Sequence, residues 1–393
     1  MTALALLGGR PAFASEIRVG RPNVGDRTAL IARLGLMLDS GVLTNRGPFV
    51  LELEAALRSY LGVRHAITVC NATIGLGVAA RALGLAGEVI VPSFTYIATP
   101  QALAWLGITP VFCDVDPDTH NLDPRQLEAL ITLRTTGILP VHVWGRPCDT
   151  QAIERVACAH GLKTLYDAAH AFGCSHDGQM IGSFGHAEVF SFHATKFFNT
   201  FEGGAITTND DNLAAKIIAM TNFGQLEEGG VHVGTNAKMT EVCAAMGLAS
   251  FERIDAFAEI NRARHETYRR ELAGLPGLRL VEYDARERCN FQYAILEIDP
   301  ARAGLSRDTL QAVLAAENVI ARKYFYPACH QAEVFRTSMT ARETQLPHAE
   351  ALAVCCLSLP TGAGASVGDV EVICDVIRRA FALAPMLPSG RRW

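Results

Sequence analysis

Charge of one sign is not in excess: 35 Lys and Arg face 40 Asp and Glu over 393 residues, a net of -5 without a basic stripe. A nucleic-acid surface therefore has no electrostatic support. Nowhere do about 18 uncharged apolar residues run together, as a membrane span requires. The opening MTALALLGGRPAF has a short apolar run but no basic region ahead of it, so the chain reads as cytoplasmic, with no membrane partner. The 11 cysteines include no C-x-x-C, and Cys355 and Cys356 are merely adjacent, so neither a metal site nor a disulfide framework is expected. Internal repeats and low-complexity tracts are missing too. So are a G-x-G-x-x-G and a P-loop, which disfavours a nucleotide-dependent oxidoreductase.

What is present is ordinary globular material, 49% hydrophobic and 19% charged, long enough for a large core and two domains. An entry segment holds a Gly8-Gly9-Arg10-Pro11 turn and helical patterns over 28–38 and 49–61. Seven β-rich runs follow, at 65–70, 88–92, 110–115, 137–144, 162–168, 187–193 and 203–208, most of them separated by helical patterns. Near-continuous apolar strands alternating with helices predict an α/β fold with a mostly parallel seven-stranded sheet sandwiched by helices. The last three runs are joined by loops, which predicts one antiparallel strand among them. A long amphipathic helix over 241–272 leads into a smaller α+β domain with strands at 292–298 and 319–326 and helices at 307–317 and 349–356. The division expected is 1–255, a large domain with its entry segment, and 256–393, a small C-terminal domain.

In such sheets ligands bind at the carboxyl ends of the strands. After the first run, Asn71-Ala72-Thr73-Ile74-Gly75 opens a helix, where free amides and a hydroxyl can hold a phosphate or simply cap the helix. After the second, Tyr96 presents a ring that can stack on a flat ligand or pack in the core. After the fifth comes Asp167-Ala168-Ala169-His170. A carboxylate there is buried and needs a cationic or hydrogen-bonding partner, or else it caps the next helix. His170 shares its helical face if a turn forms. The stretch Ser191 to Gly204 then sets Lys196 among Phe192, Phe197, Phe198 and Phe201. Desolvation disfavours an ammonium and frees the amine to attack a carbonyl; the alternative is a lysine whose stem lies on apolar surface with its head in water.

These residues, with Pro92 to Thr99, Pro140 to Gly145, Glu202-Gly203-Gly204, Gly234-Thr235-Asn236 and Leu357-Ser358-Leu359-Pro360, occur in an order that resembles the DegT/DnrJ/EryC1/StrS group of fold-type-I pyridoxal-phosphate aminotransferases. The resemblance implies a pyridoxal 5'-phosphate Schiff base on Lys196, with Asp167 on its pyridine nitrogen and His170 near its phenolic oxygen. It implies Tyr96 as the stacking ring, Ala72, Thr73 and Ser191 as the phosphate cup, and Asn236 as a phosphate contact supplied by a partner subunit, hence a homodimer with shared active sites. Where relatives have Gly-Tyr-Asn-Tyr-Arg-Met this chain reads Gly-Thr-Asn-Ala-Lys-Met. Lys238 thus replaces an arginine that often grips the amino donor's carboxylate, a point charge in place of a bidentate fork.

The combination is similar to members that aminate C4 of dTDP-4-keto-6-deoxy-D-glucose with L-glutamate as donor, in making deoxyamino sugars for surface glycans or for natural products such as antibiotics. A 3-keto sugar, a cyclitol or an aromatic-precursor ketone is the alternative substrate. A non-catalytic sensor or assembly protein on the same scaffold is the alternative of another class, and Lys196 with Asp167 argue against it. Dehydratases of the group, which carry histidine in place of the lysine, are excluded by Lys196 itself.

Overall fold

The computed structural model describes residues 3–225, 233–336 and 345–387. Its strands are β1 (Ile17–Arg18), β2 (His65–Val69), β3 (Glu88–Pro92), β4 (Thr109–Cys113), β5 (Thr135–Ile138), β6 (Lys163–Asp167), β7 (Ser175–His176), β8 (Gln179–Met180), β9 (Ala187–Ser191), β10 (Gly204–Thr208), β11 (Leu278–Leu280), β12 (Ala294–Ile298), β13 (Val319–Ile320) and β14 (Cys356–Leu359). The seven expected β-rich runs form one sheet, in the order β2-β10-β9-β6-β5-β3-β4. Only β10 is antiparallel, to both β2 and β9. Its strands are buried along almost their whole length, because helices cover both faces.

One consequence of this order decides where chemistry can occur. The carboxyl ends of β2, β3, β6 and β9 meet the amino end of β10 on a single edge. Gly204 sits opposite both Val69 and Ser191, and Asp167 is level with Val189, two residues short of Ser191.

The helices up to residue 221 are α1 (Arg27–Ser40), α2 (Pro48–Leu61), α3 (Ala72–Ala82), α4 (Ala98–Ala104), α5 (Leu127–Leu130), α6 (Thr150–His160) and α7 (Asp211–Thr221). The single helix expected over 241–272 is two, α8 (Glu241–Phe251) and α9 (Ile254–Glu271), broken at Glu252 and Arg253. They bury different surfaces. α8 is apolar nearly all round and lies against α1 and α2, whereas α9 is amphipathic and packs on the helix Val367–Ala382. One straight helix could not meet both neighbours.

In the C-terminal part a three-stranded sheet, β11-β12-β14, carries helices over 307–316 and 367–382. The run expected as a strand over 319–326 shrinks to β13, which pairs with β1 at the chain's start. Leu4 is fully buried among the C-terminal helices, and both oxygens of Glu317 accept backbone N–H groups, from Ala5 and Ala12, at 2.7 Å. The entry segment thus crosses over to pack with the last third of the chain. Among the described residues no helix is long and apolar enough to cross a membrane.

Candidate active site

A cavity of about 700 Å³ opens on the shared edge of the sheet, within the range of small-molecule sites. Of the residues singled out in the sequence, Ala72, Thr73, Tyr96, Asp167, His170, Ser191 and Lys196 line it. Asn236 does not. It is exposed and forms an isolated bridge with Asn222, two residues before Lys238.

Asp167 ends β6. Its Oδ2 accepts the Thr99 hydroxyl at 2.7 Å and its Oδ1 the Ala169 N–H at 3.0 Å. No helix starts there, so capping is not its task; residues 168–171 make a single turn. Burial raises the carboxyl pKa, while the two hydrogen bonds and the nearby Lys196 charge oppose the rise. Thr99 has one proton and gives it to Asp167, so the Thr95 hydroxyl, 3.0 Å away, donates to Thr99. This hydroxyl chain escaped the sequence reading, although Thr95 and Thr99 lie inside the run that ends in the family-like 92–99 segment.

His170 is buried, and its Nδ1 accepts the Trp144 backbone N–H at 3.2 Å, which leaves the proton on Nε2. Trp144 and Phe325 stack on the imidazole with planes 8° and 6° apart. Burial, and then the Lys196 charge, push its pKa well below the ordinary value, so the ring is a neutral donor through Nε2.

Lys196 lies in an irregular loop between β9 and β10. Gln292 clamps it, accepting the Phe197 N–H at 2.8 Å and donating to the Thr195 carbonyl at 3.5 Å. Asn23 adds a bond to the Phe197 carbonyl at 3.0 Å. The phenylalanine cage expected around the amine is corrected. Of those four only Phe197 lines the cavity, Phe192 and Phe198 pack with Phe172 in the layer behind, and Phe201 is 43% exposed. The ring that meets the amine is Tyr293, whose hydroxyl is 3.4 Å from Nζ. It lies 97 residues further on, where no local pattern connects it with the lysine. Desolvation still lowers the lysine pKa, to about 8, with Asp167 pulling the other way. Labelling of Lys196 by an amine-selective reagent, followed by peptide mass, is expected to rise through about pH 8, whereas an exposed lysine follows 10.5.

The fit to pyridoxal phosphate rests on three features. Ala72 and Thr73 open α3, so their N–H groups have no acceptor within the helix, while Asn71 caps Ile74 at 2.9 Å. Those amides and the Ser191 hydroxyl suit a phosphate at a positive helix end. A Cβ at Gly204 would lie 3.0 Å from the Ala72 nitrogen and 2.6 Å from the Phe190 carbonyl oxygen, so only glycine leaves that cradle open. The buried Asp167 carboxylate has no ion pair within 4.0 Å among the described residues, and a pyridinium N–H would supply its cation.

Comparison with known proteins gives the family. The DegT/DnrJ/EryC1/StrS aminotransferase family model matches residues 26–378. A dTDP-4-amino-4,6-dideoxy-D-glucose transaminase of Shigella dysenteriae is 38% identical over 364 residues, 92% of this chain and 98% of the relative. A GDP-perosamine synthase of Caulobacter vibrioides is 38% identical over 341 residues, 85% and 90% of the two chains. The solved structure of DesI in the presence of its TDP-sugar product is 50% identical with a TM-score of 0.92, covering 96% of each chain. With a fold-type-I scaffold and this match along nearly its whole length, the chain belongs to the DegT/DnrJ/EryC1/StrS aminotransferase family.

Proposed function

We propose that this protein moves an amino group from L-glutamate to C4 of dTDP-4-keto-6-deoxy-D-glucose, with pyridoxal phosphate held covalently on Lys196, in deoxyamino-sugar biosynthesis. The observation that carries the reading is the desolvated Lys196 amine in one cavity with the buried Asp167. The names of the Shigella relative and of DesI support the sugar.

When bound, pyridoxal phosphate supplies the electron sink for carbanion chemistry. The chain's own groups do the rest. Lys196 Nζ takes a proton from the donor's α-carbon and returns one, a task suited to an amine with a pKa of about 8. Asp167 holds a proton on the pyridine nitrogen, and Thr99 and Ala169 hold Asp167. His170 Nε2–H would be offered to the phenolic oxygen, the Ala72 and Thr73 amides with Ser191 would take the phosphate, and Tyr96, 57% exposed, would cover the ring. Asn236, exposed and outside its own chain's cavity, is available to a second subunit. Val24, Ile31, Leu36, Leu38, Leu43 and Leu51 are each 48 to 68% exposed, apolar surface that a homodimer would cover. The division at 255 and 256 belongs to the same reading, with β1 returning to the smaller part.

The test is to incubate the protein with glutamate and a panel of nucleotide-linked keto sugars, then locate the new amine by NMR. Amination at C4 of the dTDP sugar is expected. If no 4-keto-6-deoxy sugar is aminated, the substrate assignment fails; if glutamate never yields 2-oxoglutarate, the activity fails.

Thr99→Val, nearly isosteric, removes a hydrogen bond that favours ionised Asp167, so the Asp167 pKa climbs further. The acid limb of the rate profile is expected to move to higher pH, with about a tenfold loss on that limb, from a bond worth roughly 1.5 kcal/mol. An unmoved limb would show that Thr99 does not tune Asp167.

A further inference from the structure

Both proposed reactants are anions: glutamate carries carboxylates, and the sugar is linked to a diphosphate. On that proposed function, the cavity must offer a cation to their oxygens. Lys238, the residue standing in for the usual arginine, is engaged elsewhere. Its Nζ donates to Asn222 Oδ1 at 2.7 Å and lies 4.7 Å from the centre of the Phe223 ring, and it does not line this chain's cavity. Among the described residues, the fixed cations besides Lys196 that line the cavity are Arg21 and Arg322, and neither forms an ion pair with a described carboxylate.

The two arginines differ in how they are held. Both are exposed, but the Arg21 side chain has no hydrogen-bond or ion-pair partner among the described residues and follows Gly20, whose φ is +81°. Arg322 is pinned. Its backbone exchanges two hydrogen bonds with Ser358 on β14, at 3.0 and 2.8 Å, and its Nη1 donates to the Tyr324 hydroxyl at 3.3 Å. The next residue, Lys323, turns away to Asp308 at 3.0 Å. The Tyr324 and Tyr293 ring centres are 6.2 Å apart, and the Tyr293 hydroxyl is 3.4 Å from Lys196 Nζ. A wall of two tyrosines therefore runs from the reacting amine to a guanidinium that no described carboxylate neutralises. An arginine fork held at one point still offers several N–H donors, which suit the paired oxygens of a carboxylate or a phosphate.

We propose that Arg322 is the oxyanion anchor of this cavity, binding the donor's carboxylate, the sugar's diphosphate, or each in its own half of the reaction. The same guanidinium can serve both because the two reactants occupy the cavity in turn.

The experiment uses the pyridoxal-phosphate-loaded protein and two probes that cannot react, glutarate for the carboxylate and dTDP for the diphosphate. Affinities are measured by titration calorimetry for wild type, Arg322→Ala and Arg322→Lys. Arg322→Ala is expected to weaken at least one probe tenfold or more, about 1.4 kcal/mol. Arg322→Lys should recover part of the loss, since it restores charge but not the fork. Loss for glutarate alone assigns the donor's carboxylate, loss for dTDP alone the diphosphate, and loss for both the shared role. Both affinities unchanged within about twofold in Arg322→Ala would overturn the proposal. Should the alanine variant unfold, Arg322→Gln keeps the side chain's bulk and answers the same question. Probe binding needs no turnover, so failure of the transamination reading shows separately, as wild-type protein that does not consume glutamate.

Discussion

Lys196→Ala is expected to lower turnover by roughly 10⁴-fold and to abolish the covalent adduct that borohydride reduction leaves on the Lys196 peptide of the wild type. One side chain is asked to act both as nucleophile and as proton carrier, and general acid–base catalysis alone contributes up to roughly 10⁴. No other lysine lines the cavity to substitute for it. The variant should fold. A lysine whose pKa falls from 10.5 to about 8 on folding binds fewer protons in the native state, so it costs stability below about pH 8, and the cost disappears as pH rises toward 10.5. Lys196→Ala should therefore melt no lower than wild type at neutral pH, with the gap between them narrowing in alkaline buffer. Turnover within tenfold of wild type, or an intact adduct, would remove Lys196 from its role.

The second large effect is expected from Asp167→Asn, which keeps the shape and can still accept the Ala169 N–H but loses the charge. An amide does not hold a proton on a pyridine nitrogen, so the electron sink weakens, and the rate of the donor half-reaction should drop by roughly 10² to 10³. The adduct on Lys196 should persist, because Lys196 is untouched, and that separates this variant from the first. The asparagine is more informative than alanine, which would leave the buried Thr99 hydroxyl and the Ala169 N–H without their acceptor. Single-turnover conversion of glutamate with the loaded variant gives the number directly; a rate within threefold of wild type would mean that the Asp167 charge is not used.

Two layers of this protein differ in how far they can be read from the chain. The strands were legible because each is a short, nearly continuous apolar run buried on both faces, which is what a helix-covered parallel sheet demands of local composition. Asp167, Lys196 and Ala72–Thr73 were legible for a related reason, since each ends or closely follows such a run and strand ends are where these sheets bind ligands, whereas Ser191 came from the family resemblance. The helix over 367–382 also carried a local signal, the capping box of Ser366 and Asp369, though no expectation covered it.

Other features depended on residues that are distant in the chain. The break between α8 and α9 is set by two different partners, α1 and α2 on one side and the C-terminal helix on the other, and nothing in 241–272 states it. The entry segment's attachment through β1 and Glu317 joins residues more than 300 apart, a pairing that no periodicity encodes. In the site the division is the same. Composition left a desolvated amine and a lysine with its head in water as alternatives, and it did not tell which ring meets the amine. Phe192 and Phe198 point into the layer behind, and Tyr293 arrives from the strand region of the other sheet. The sequence by itself determined the sheet, its reactive edge and the lysine and aspartate on it, because burial and chain direction are local properties. Only the tertiary structure decided the hydroxyl chain behind Asp167, the tautomer of His170, the tyrosine on Lys196 and the seating of Arg322 on β14, because each is a contact between segments whose separation along the chain says nothing about their distance in space.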